Sequence, residues 1–158
     1  MTHQFDPTSL REYDIRGIVG KALGPADAIA IGRGFATRIR AAGGTRVAVG
    51  YDGRNSSPEL EAALVSGLAA GGVDVVRIGL STSPMLYYAE ATLEVEGGIQ
   101  VTGSHNPPEY NGFKMVHAHA PFSAMTSRTW PLSQRRAPGA RVRAKLPRPT
   151  CSTPMSSG

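Results

Sequence analysis

The chain has 158 residues and a formal net charge of +5, with 17 Lys and Arg residues against 12 Asp and Glu residues. This length suffices for one domain with a hydrophobic core and is short for several. The single cysteine, Cys151, excludes an internal disulfide and a metal site built from cysteines, and it is typical of a reducing, cytoplasmic compartment.

The charge is unevenly distributed along the chain. Residues 1–116 hold ten basic and twelve acidic residues, whereas residues 117–158 hold seven basic residues and no acid. Because the excess of positive charge belongs to the tail alone, we expect no nucleic-acid partner for residues 1–116. Uncharged stretches such as residues 62–73 are far below membrane-spanning length, so we also expect no membrane partner.

Strand and helix patterns alternate along residues 10–116. Residues 10–20 indicate a first strand or extended loop, and later β-branched runs predict strands at residues 47–51, 73–79, 98–102 and 113–116. Amphipathic helices are predicted from Pro25 to Gly43, from Ser56 to Gly71, and from Ser83 onward. Predicted strand centres lie about 25 residues apart, which is βαβ spacing. The pattern predicts a three-layer α/β/α sandwich with a mixed sheet of about four strands.

One loop contains several polar residues that could take part in catalysis or binding. Residues 102–114 read TGSHNPPEYNGFK and follow the strand predicted at residues 98–102. Ser104 would therefore lie at the carboxyl end of a strand, where open α/β sheets bind ligands. Gly103 permits unusual dihedral angles, Pro107 and Pro108 stiffen the loop, and the pair at residues 111–112 predicts a tight turn into the last strand.

The residues alone leave the role of Ser104 open. A serine hydroxyl is a weak nucleophile until a base, a metal or a phosphate changes its chemistry. His105 is adjacent, but neighbouring side chains in an extended chain point apart, and no carboxylate is placed behind the histidine as a hydrolase would need. The alternative is a surface turn in which Ser104 and Asn106 bind only the local backbone.

The loop resembles the active-site serine loop of the α-D-phosphohexomutase family, and most of all its bacterial phosphomannomutase/phosphoglucomutase branch. Residues 12–17, EYDIRG, are similar to that family's amino-terminal signature. The resemblance covers residues 9–116 and implies the first of four domains. It implies an intramolecular phosphotransferase that interconverts the 1- and 6-phosphates of mannose or glucose through phosphorylated Ser104 and a hexose bisphosphate.

The resemblance also implies roles for individual residues. The implied catalytic residues are Ser104, His105, Lys114 and Arg16, and the implied substrate contacts are Tyr13, Arg16, Ser104, Asn106 and Arg54. The phosphate on Ser104 would bind Mg²⁺, with the other metal ligands outside this domain. Each of these residues also has an ordinary interpretation on a surface, in a turn or on a strand; for Arg54 a purely structural turn is an equal alternative.

The composition changes at about residue 117. Residues 117–158 contain six of the twelve prolines, six arginines and no acid, which is typical of a disordered segment or of a GC-rich gene translated out of frame. We therefore divide the chain into a domain at residues 1–116 and a basic tail at residues 117–158. A nucleic-acid-binding arm would need more aromatic residues than Phe122 and Trp130, and His117 with His119 makes at best a weak metal pair.

The family's Asp-Gly-Asp-x-Asp metal loop and its later substrate loops have no counterpart in this sequence. The alternative to a mutase is therefore a non-catalytic fragment that binds sugar phosphates weakly at most.

Overall fold

A computed structural model describes residues 3–9, 14–122 and 142–143. Within them, strands and helices alternate up to the fourth strand, after which only strands follow. The elements are β1 (Ile15–Ile18), α1 (Pro25–Ala41), β2 (Arg46–Tyr51), α2 (Ser57–Ala70), β3 (Asp74–Leu80), α3 (Ser83–Thr92), β4 (Gly97–Val101), β5 (Tyr110–His117), β6 (Ala120–Phe122) and β7 (Val142–Arg143).

These strands form one mixed sheet in the order β1-β5-β4-β2-β3-β7, and β6 pairs with β5 beyond the end of β1. Strands β4, β2, β3 and β7 are parallel to one another, whereas β5 is antiparallel to both β1 and β4. The βαβ spacing had predicted the parallel centre, because a helix must cross the sheet between two parallel strands. The last predicted strand, at residues 113–116, lies within the antiparallel β5.

The sheet separates two hydrophobic clusters. The larger one lies beneath α1 and α2 and includes the fully buried Phe35, Leu64, Ile99 and Phe113. The smaller one lies beneath α3 and contains Leu86 together with apolar residues of the other sheet face. The protein is therefore the three-layer α/β/α sandwich that the sequence predicted.

The prediction of about four strands was too low. The segment before Pro25 pairs as a strand, β1, and two short strands, β6 and β7, lie beyond residue 116. The rest of the tail falls outside the described residues, so its predicted disorder stays a prediction. No helix in the described part of the chain is long and apolar enough to cross a membrane.

The tight turn predicted at Asn111 and Gly112 was wrong. Both residues lie inside β5, where they pair with β1. The Asn111 side chain is fully buried and donates to the hydroxyls of Ser56 and Ser57, at 2.9 Å each, so it fixes the strand to the start of α2. The chain reverses earlier, where the Tyr110 amide donates to the Pro107 carbonyl.

Candidate functional site: the serine loop

Two loops meet at one edge of the sheet. Strands β2 and β4 are parallel neighbours, with Tyr51 opposite Val101, so the residues that follow them emerge side by side. The Asp52 amide donates to the Val101 carbonyl at 2.9 Å and keeps the two chains together past the strand ends. The edge formed by the carboxyl ends of parallel strands is where α/β sheets bind ligands. Residues 102–109, which we call the serine loop, therefore lie where the sequence predicted.

Ser104 occupies a left-handed backbone conformation, with φ of 55°. Such a value is uncommon for a residue other than glycine and requires support from its surroundings. The support is local: the Ser104 amide donates to the Thr102 hydroxyl at 2.9 Å, and the Asn106 amide donates to the Gly103 carbonyl at 3.1 Å. The turn leaves Ser104 exposed at its tip.

His105 lies closer to Ser104 than the sequence predicted. Its Nδ1 is 3.4 Å from the Ser104 hydroxyl oxygen, within hydrogen-bonding range. The expectation that the two side chains point apart assumed an extended chain, and it was wrong because the left-handed turn at Ser104 rotates them to the same side. Among the described contacts, none joins a carboxylate to His105, so a hydrolase-type triad is not assembled in this part of the chain.

Arg54 binds the serine loop, and all three nitrogens of its guanidinium group donate hydrogen bonds. Its Nη1 donates to the carbonyls of Pro107 and Tyr110 at 2.7 and 3.0 Å, and its Nη2 donates to those of Asn106 and Ser104 at 2.7 and 3.1 Å. Its Nε donates to Asp52 Oδ2 at 3.3 Å. The side chain is only 16% exposed. The sequence had suggested a phosphate contact or a structural turn, and the contacts are those of a residue that shapes the loop.

Asp52 connects both loops through a shared carboxylate. It accepts from the amides of Arg54 and Gly103, at 3.1 Å each, and from the hydroxyls of Ser57 and Thr102. Burial of the carboxyl would raise its pKa, yet the hydrogen bonds, from the Ser57 hydroxyl foremost, outweigh burial and hold the pKa of Asp52 below its usual value. The carboxylate is therefore charged and fully engaged in holding the loop.

Arg16 approaches the same loop from β1. It is 5% exposed and donates to the Asp14 carboxylate. When the Asn106 amide is oriented to suit its neighbours, its oxygen accepts from Arg16 Nη1 at 3.0 Å and from Nε at 3.3 Å. Arg16 and Asn106, both predicted site residues, are thus brought together.

Two other predicted site residues are less closely connected. Lys114 lies half-buried in β5 opposite Gln100, and no described hydrogen bond or ion pair joins it to the serine loop. Tyr13 lies outside the described residues. The sequence therefore placed Ser104, His105, Asn106, Arg16 and Arg54 in one site, while the contacts of the described chain do not connect Lys114 to it.

An open cleft of about 630 Å³ lies beside Ser104. Its walls are residues 52–56 on one side and residues 104, 106, 108 and 109 on the other, with Val19 at the edge. The described residues contain no group of three or more His, Cys, Asp or Glu side chains able to hold a metal ion. His119, half of the weak metal pair, instead binds the buried Glu90 through its Nδ1 at 2.8 Å.

Sequence reasoning missed two residues that organise the site, Asp52 and Ser57. The available signal was position: Asp52 immediately follows a buried parallel strand, and Ser57 opens the next helix. Both positions face the ligand-binding edge of an α/β sheet, so a polar residue at either is a candidate for the site.

Comparison with known proteins identifies the family. Residues 7–127 match the family model described as phosphoglucomutase/phosphomannomutase, alpha/beta/alpha domain I. The phosphoglucomutase of Neisseria gonorrhoeae is 48% identical over 106 residues, covering 67% of this chain and 23% of that protein. The phosphomannomutase/phosphoglucomutase of Pseudomonas aeruginosa is 50% identical over 113 residues, covering 71% of this chain and 24% of that protein.

Solved structures show the same fold. A phosphoglucomutase/phosphomannomutase family protein from Burkholderia thailandensis matches with a TM-score of 0.74 and 45% identity, over 78% of this chain and 29% of that one. A putative phosphomannomutase from Thermus thermophilus matches with a TM-score of 0.72 and 25% identity, over 90% of this chain and 34% of that one. This chain spans about a quarter of the length of the curated relatives named above. It belongs to the phosphoglucomutase/phosphomannomutase family and corresponds to the alpha/beta/alpha domain I of that family.

Proposed function

We propose that this chain carries the phosphoserine of a hexose-phosphate mutase, with Ser104 as the residue that accepts and returns the phosphoryl group. The observation that carries the proposal is the exposed Ser104 hydroxyl on a supported left-handed turn, 3.4 Å from His105 Nδ1. Family membership supplies the substrate class, hexose phosphates, because the relatives bear the names phosphoglucomutase and phosphomannomutase.

The proposed reaction exchanges one phosphoester bond for another. The bond between phosphorus and Ser104 Oγ breaks, and a bond forms from phosphorus to a hydroxyl oxygen of the sugar, giving a hexose bisphosphate. The sugar hydroxyl loses its proton, and Ser104 Oγ regains one. His105 is the nearest titratable side chain to that oxygen among the described contacts, so we assign it to hold this proton. The second half of the reaction returns the phosphoryl group at the other end of the sugar to Ser104.

We also propose roles for the remaining predicted residues, and the support differs from one residue to the next. Arg16 donates to the Asn106 side chain, two residues from Ser104, and this contact supports a role for its guanidinium group in binding phosphate. Tyr13 and Lys114 remain substrate and phosphate contacts on the family resemblance alone.

Magnesium is part of the proposal only through Ser104. A phosphate on Ser104 would offer the ion an oxygen ligand, and the bound ion would neutralise charge on the transferring group. The described residues hold no metal cluster of their own, so the other ligands would have to come from elsewhere.

The test is phosphorylation of Ser104 by a hexose 1,6-bisphosphate, followed by peptide mass spectrometry. We expect phosphate on Ser104 in the unmodified chain, none at that position in Ser104→Ala, and unchanged labelling in Ser66→Ala, which removes an exposed serine on α2. A second arm replaces the matching domain of the Pseudomonas aeruginosa relative with residues 7–122 and measures interconversion of glucose 1- and 6-phosphate. Full mutase activity of Ser104→Ala in that chimera would show the assignment to be wrong.

The same experiment separates the alternative function. A chain that binds sugar phosphates without catalysis would bind the bisphosphate, for example by calorimetry, yet leave Ser104 unlabelled and the chimera inactive.

A further inference from the structure

The guanidinium of Arg54 has five N–H bonds, and five acceptors surround it. Four of the acceptors are backbone carbonyls of residues 104, 106, 107 and 110, and the fifth is the Asp52 carboxylate. The distances run from 2.7 to 3.3 Å, so each donor has a partner within hydrogen-bonding range. A phosphate could bind this side chain only by displacing one of these acceptors.

The carbonyls explain why an arginine is required here. Four carbonyl oxygens converge on one side of the serine loop, and without a donor their negative ends would repel one another. A planar fork with donors on three nitrogens can reach all four, whereas a lysine ammonium is a point charge with three donors. Arg54 therefore stabilises a loop shape that the chain would otherwise avoid.

Gly103 fits the same arrangement. A Cβ atom at this position would lie 2.3 Å from both Cζ and Nε of Arg54, closer than any side chain permits. The guanidinium group thus packs directly against the backbone of the residue before Ser104. Its Nη2 also donates to the carbonyl of Ser104, the residue that has the unusual φ angle.

This contact has a consequence for charge around the serine. Because the carbonyl oxygens of Ser104 and Asn106 are bound to Arg54, their negative ends are directed at that cation. Carbonyl oxygens that are bound to Arg54 repel a phosphate on Ser104 Oγ less than unpaired carbonyl oxygens would. The charge of Arg54 favours a phosphorylated loop without any direct bond to the phosphate.

We infer that Arg54 is a positioning residue that holds Ser104 in its left-handed turn, and that it is not a ligand of the substrate phosphate. The meaning of this inference for catalysis rests on the proposed function; the loop geometry stands without it.

The test compares Arg54→Lys with Arg46→Lys in the full chain by NMR. Arg46 is the matched control because it lies at the other end of β2, away from the serine loop, and its described side-chain contact is an ion pair with the exposed Glu94, at 3.6 Å. In Arg54→Lys we expect the amides of Asn106 and Tyr110, which donate to the loop carbonyls of residues 103 and 107, to exchange at least about tenfold faster, the effect of losing one charged hydrogen bond. Arg46→Lys should leave both rates unchanged. Unchanged exchange in Arg54→Lys would overturn the inference.

A titration of the unmodified chain with inorganic phosphate tests the second half of the inference. We expect the Arg54 Nε–H resonance to keep its position and its slow exchange throughout. A saturable shift of this resonance would identify Arg54 as a phosphate ligand and overturn the inference. If Arg54→Lys does not fold, Gly103→Ala provides the same information, because its Cβ displaces the guanidinium group while leaving the arginine present.

A kinetic measurement separates positioning from phosphate binding. Arg54→Lys should slow phosphorylation of Ser104 by the hexose bisphosphate at least about tenfold while leaving the half-saturating concentration unchanged, whereas loss of a phosphate ligand would raise that concentration. The NMR measurements need no turnover. A chain that never becomes phosphorylated therefore refutes the proposed function, and the exchange rates and the Arg54 resonance still decide the inference.

Discussion

The Asp52 carboxylate accepts a hydrogen bond from the Gly103 amide at 3.1 Å, although 51 residues separate the two in sequence. The contact joins the loop after β2 to the loop after β4. Since the same carboxylate also binds the Ser57 hydroxyl at the start of α2, three segments converge on one charge. The shape of the serine loop should therefore depend on the ionisation of Asp52.

Acidification should weaken the fold through Asp52. The folded pKa of this carboxyl lies below its ordinary value of 3.8, so its stabilisation is complete at higher pH and is lost as the pH falls through the folded pKa. We expect Asp52→Asn to cost about 1–3 kcal/mol at neutral pH, because donors to a charged acceptor are left poorly paired. The difference between the two proteins should narrow as the pH falls below 3.8 and through the lower folded pKa of Asp52. Urea unfolding of both across that pH range measures it.

The control for this series is Glu94→Gln, which changes a carboxylate that is 98% exposed. Its unfolding free energy should follow that of the unmodified chain at every pH. A constant gap between Asp52→Asn and the unmodified chain down to the lowest pH would contradict the role given to the Asp52 charge.

Helices α1 and α2 are in contact through two glycines. A Cβ on Gly32 would lie 2.4 Å from the Leu64 carbonyl oxygen, and one on Gly67 would lie 2.3 Å from the Ile29 carbonyl oxygen. Alanine normally stabilises a helix relative to glycine by about 1 kcal/mol, but here it must push the backbones apart. We expect Gly32→Ala and Gly67→Ala each to destabilise by about 1–3 kcal/mol in thermal or urea unfolding.

The matched control is Gly53→Ala, because a Cβ there meets nothing within 4 Å. Its unfolding free energy should change little. Stabilisation of the protein by Gly32→Ala would show that the helices can separate without cost and would contradict the close packing.

The sequence predicted the elements better than the contacts between them. Ile31, Phe35 and Ile39 recur at helical spacing, and all three are fully buried in α1, because periodicity reports which face is covered. The fold therefore followed from local patterns. The strand β1 was left undecided, since pairing with β5 depends on a partner about 95 residues away, which no local pattern reveals.

The sequence predicted which residues belong to the site, but it did not predict the contacts between them. Ser104 was predicted to follow a strand, and it follows β4, but the proximity of His105 depends on one φ angle that the sequence did not disclose. Arg54 was among the predicted site residues, and it follows the parallel strand β2. Its partners are backbone carbonyls, and their positions follow from the fold. Because every residue type has a backbone carbonyl, the sequence does not reveal these contacts.

The ion pair between Glu61 and Arg77 should respond unequally to removal of either partner. Arg77 donates two hydrogen bonds to the Glu61 carboxylate, with Nε at 2.7 Å from Oε1. Glu61 is fully buried, whereas the Arg77 side chain is 41% exposed. We expect Arg77→Met to cost about 3–5 kcal/mol, because it leaves a buried charge unpaired. Glu61→Leu should cost less, since Arg77 can turn to water.

The double variant Glu61→Leu with Arg77→Met completes a thermodynamic cycle in urea unfolding. It should be more stable than Arg77→Met alone, because no buried charge remains. Equal costs for the two single changes, or additive costs in the double variant, would show that the buried carboxylate carries no special penalty.

His105 offers the sharpest test of the proposed chemistry, because its side chain is exposed and its described contact is with Ser104 alone. In the chimera with the Pseudomonas aeruginosa relative, His105→Ala should slow turnover by about 10²–10⁴-fold, the usual contribution of a positioned acid or base. The unfolding free energy should not change, because little burial is lost. His119→Ala, which removes a second exposed histidine bound to Glu90, should leave turnover unaffected. Full turnover by His105→Ala would show that a group other than His105 holds the proton. The assignment of Ser104 would then depend on the result for Ser104→Ala.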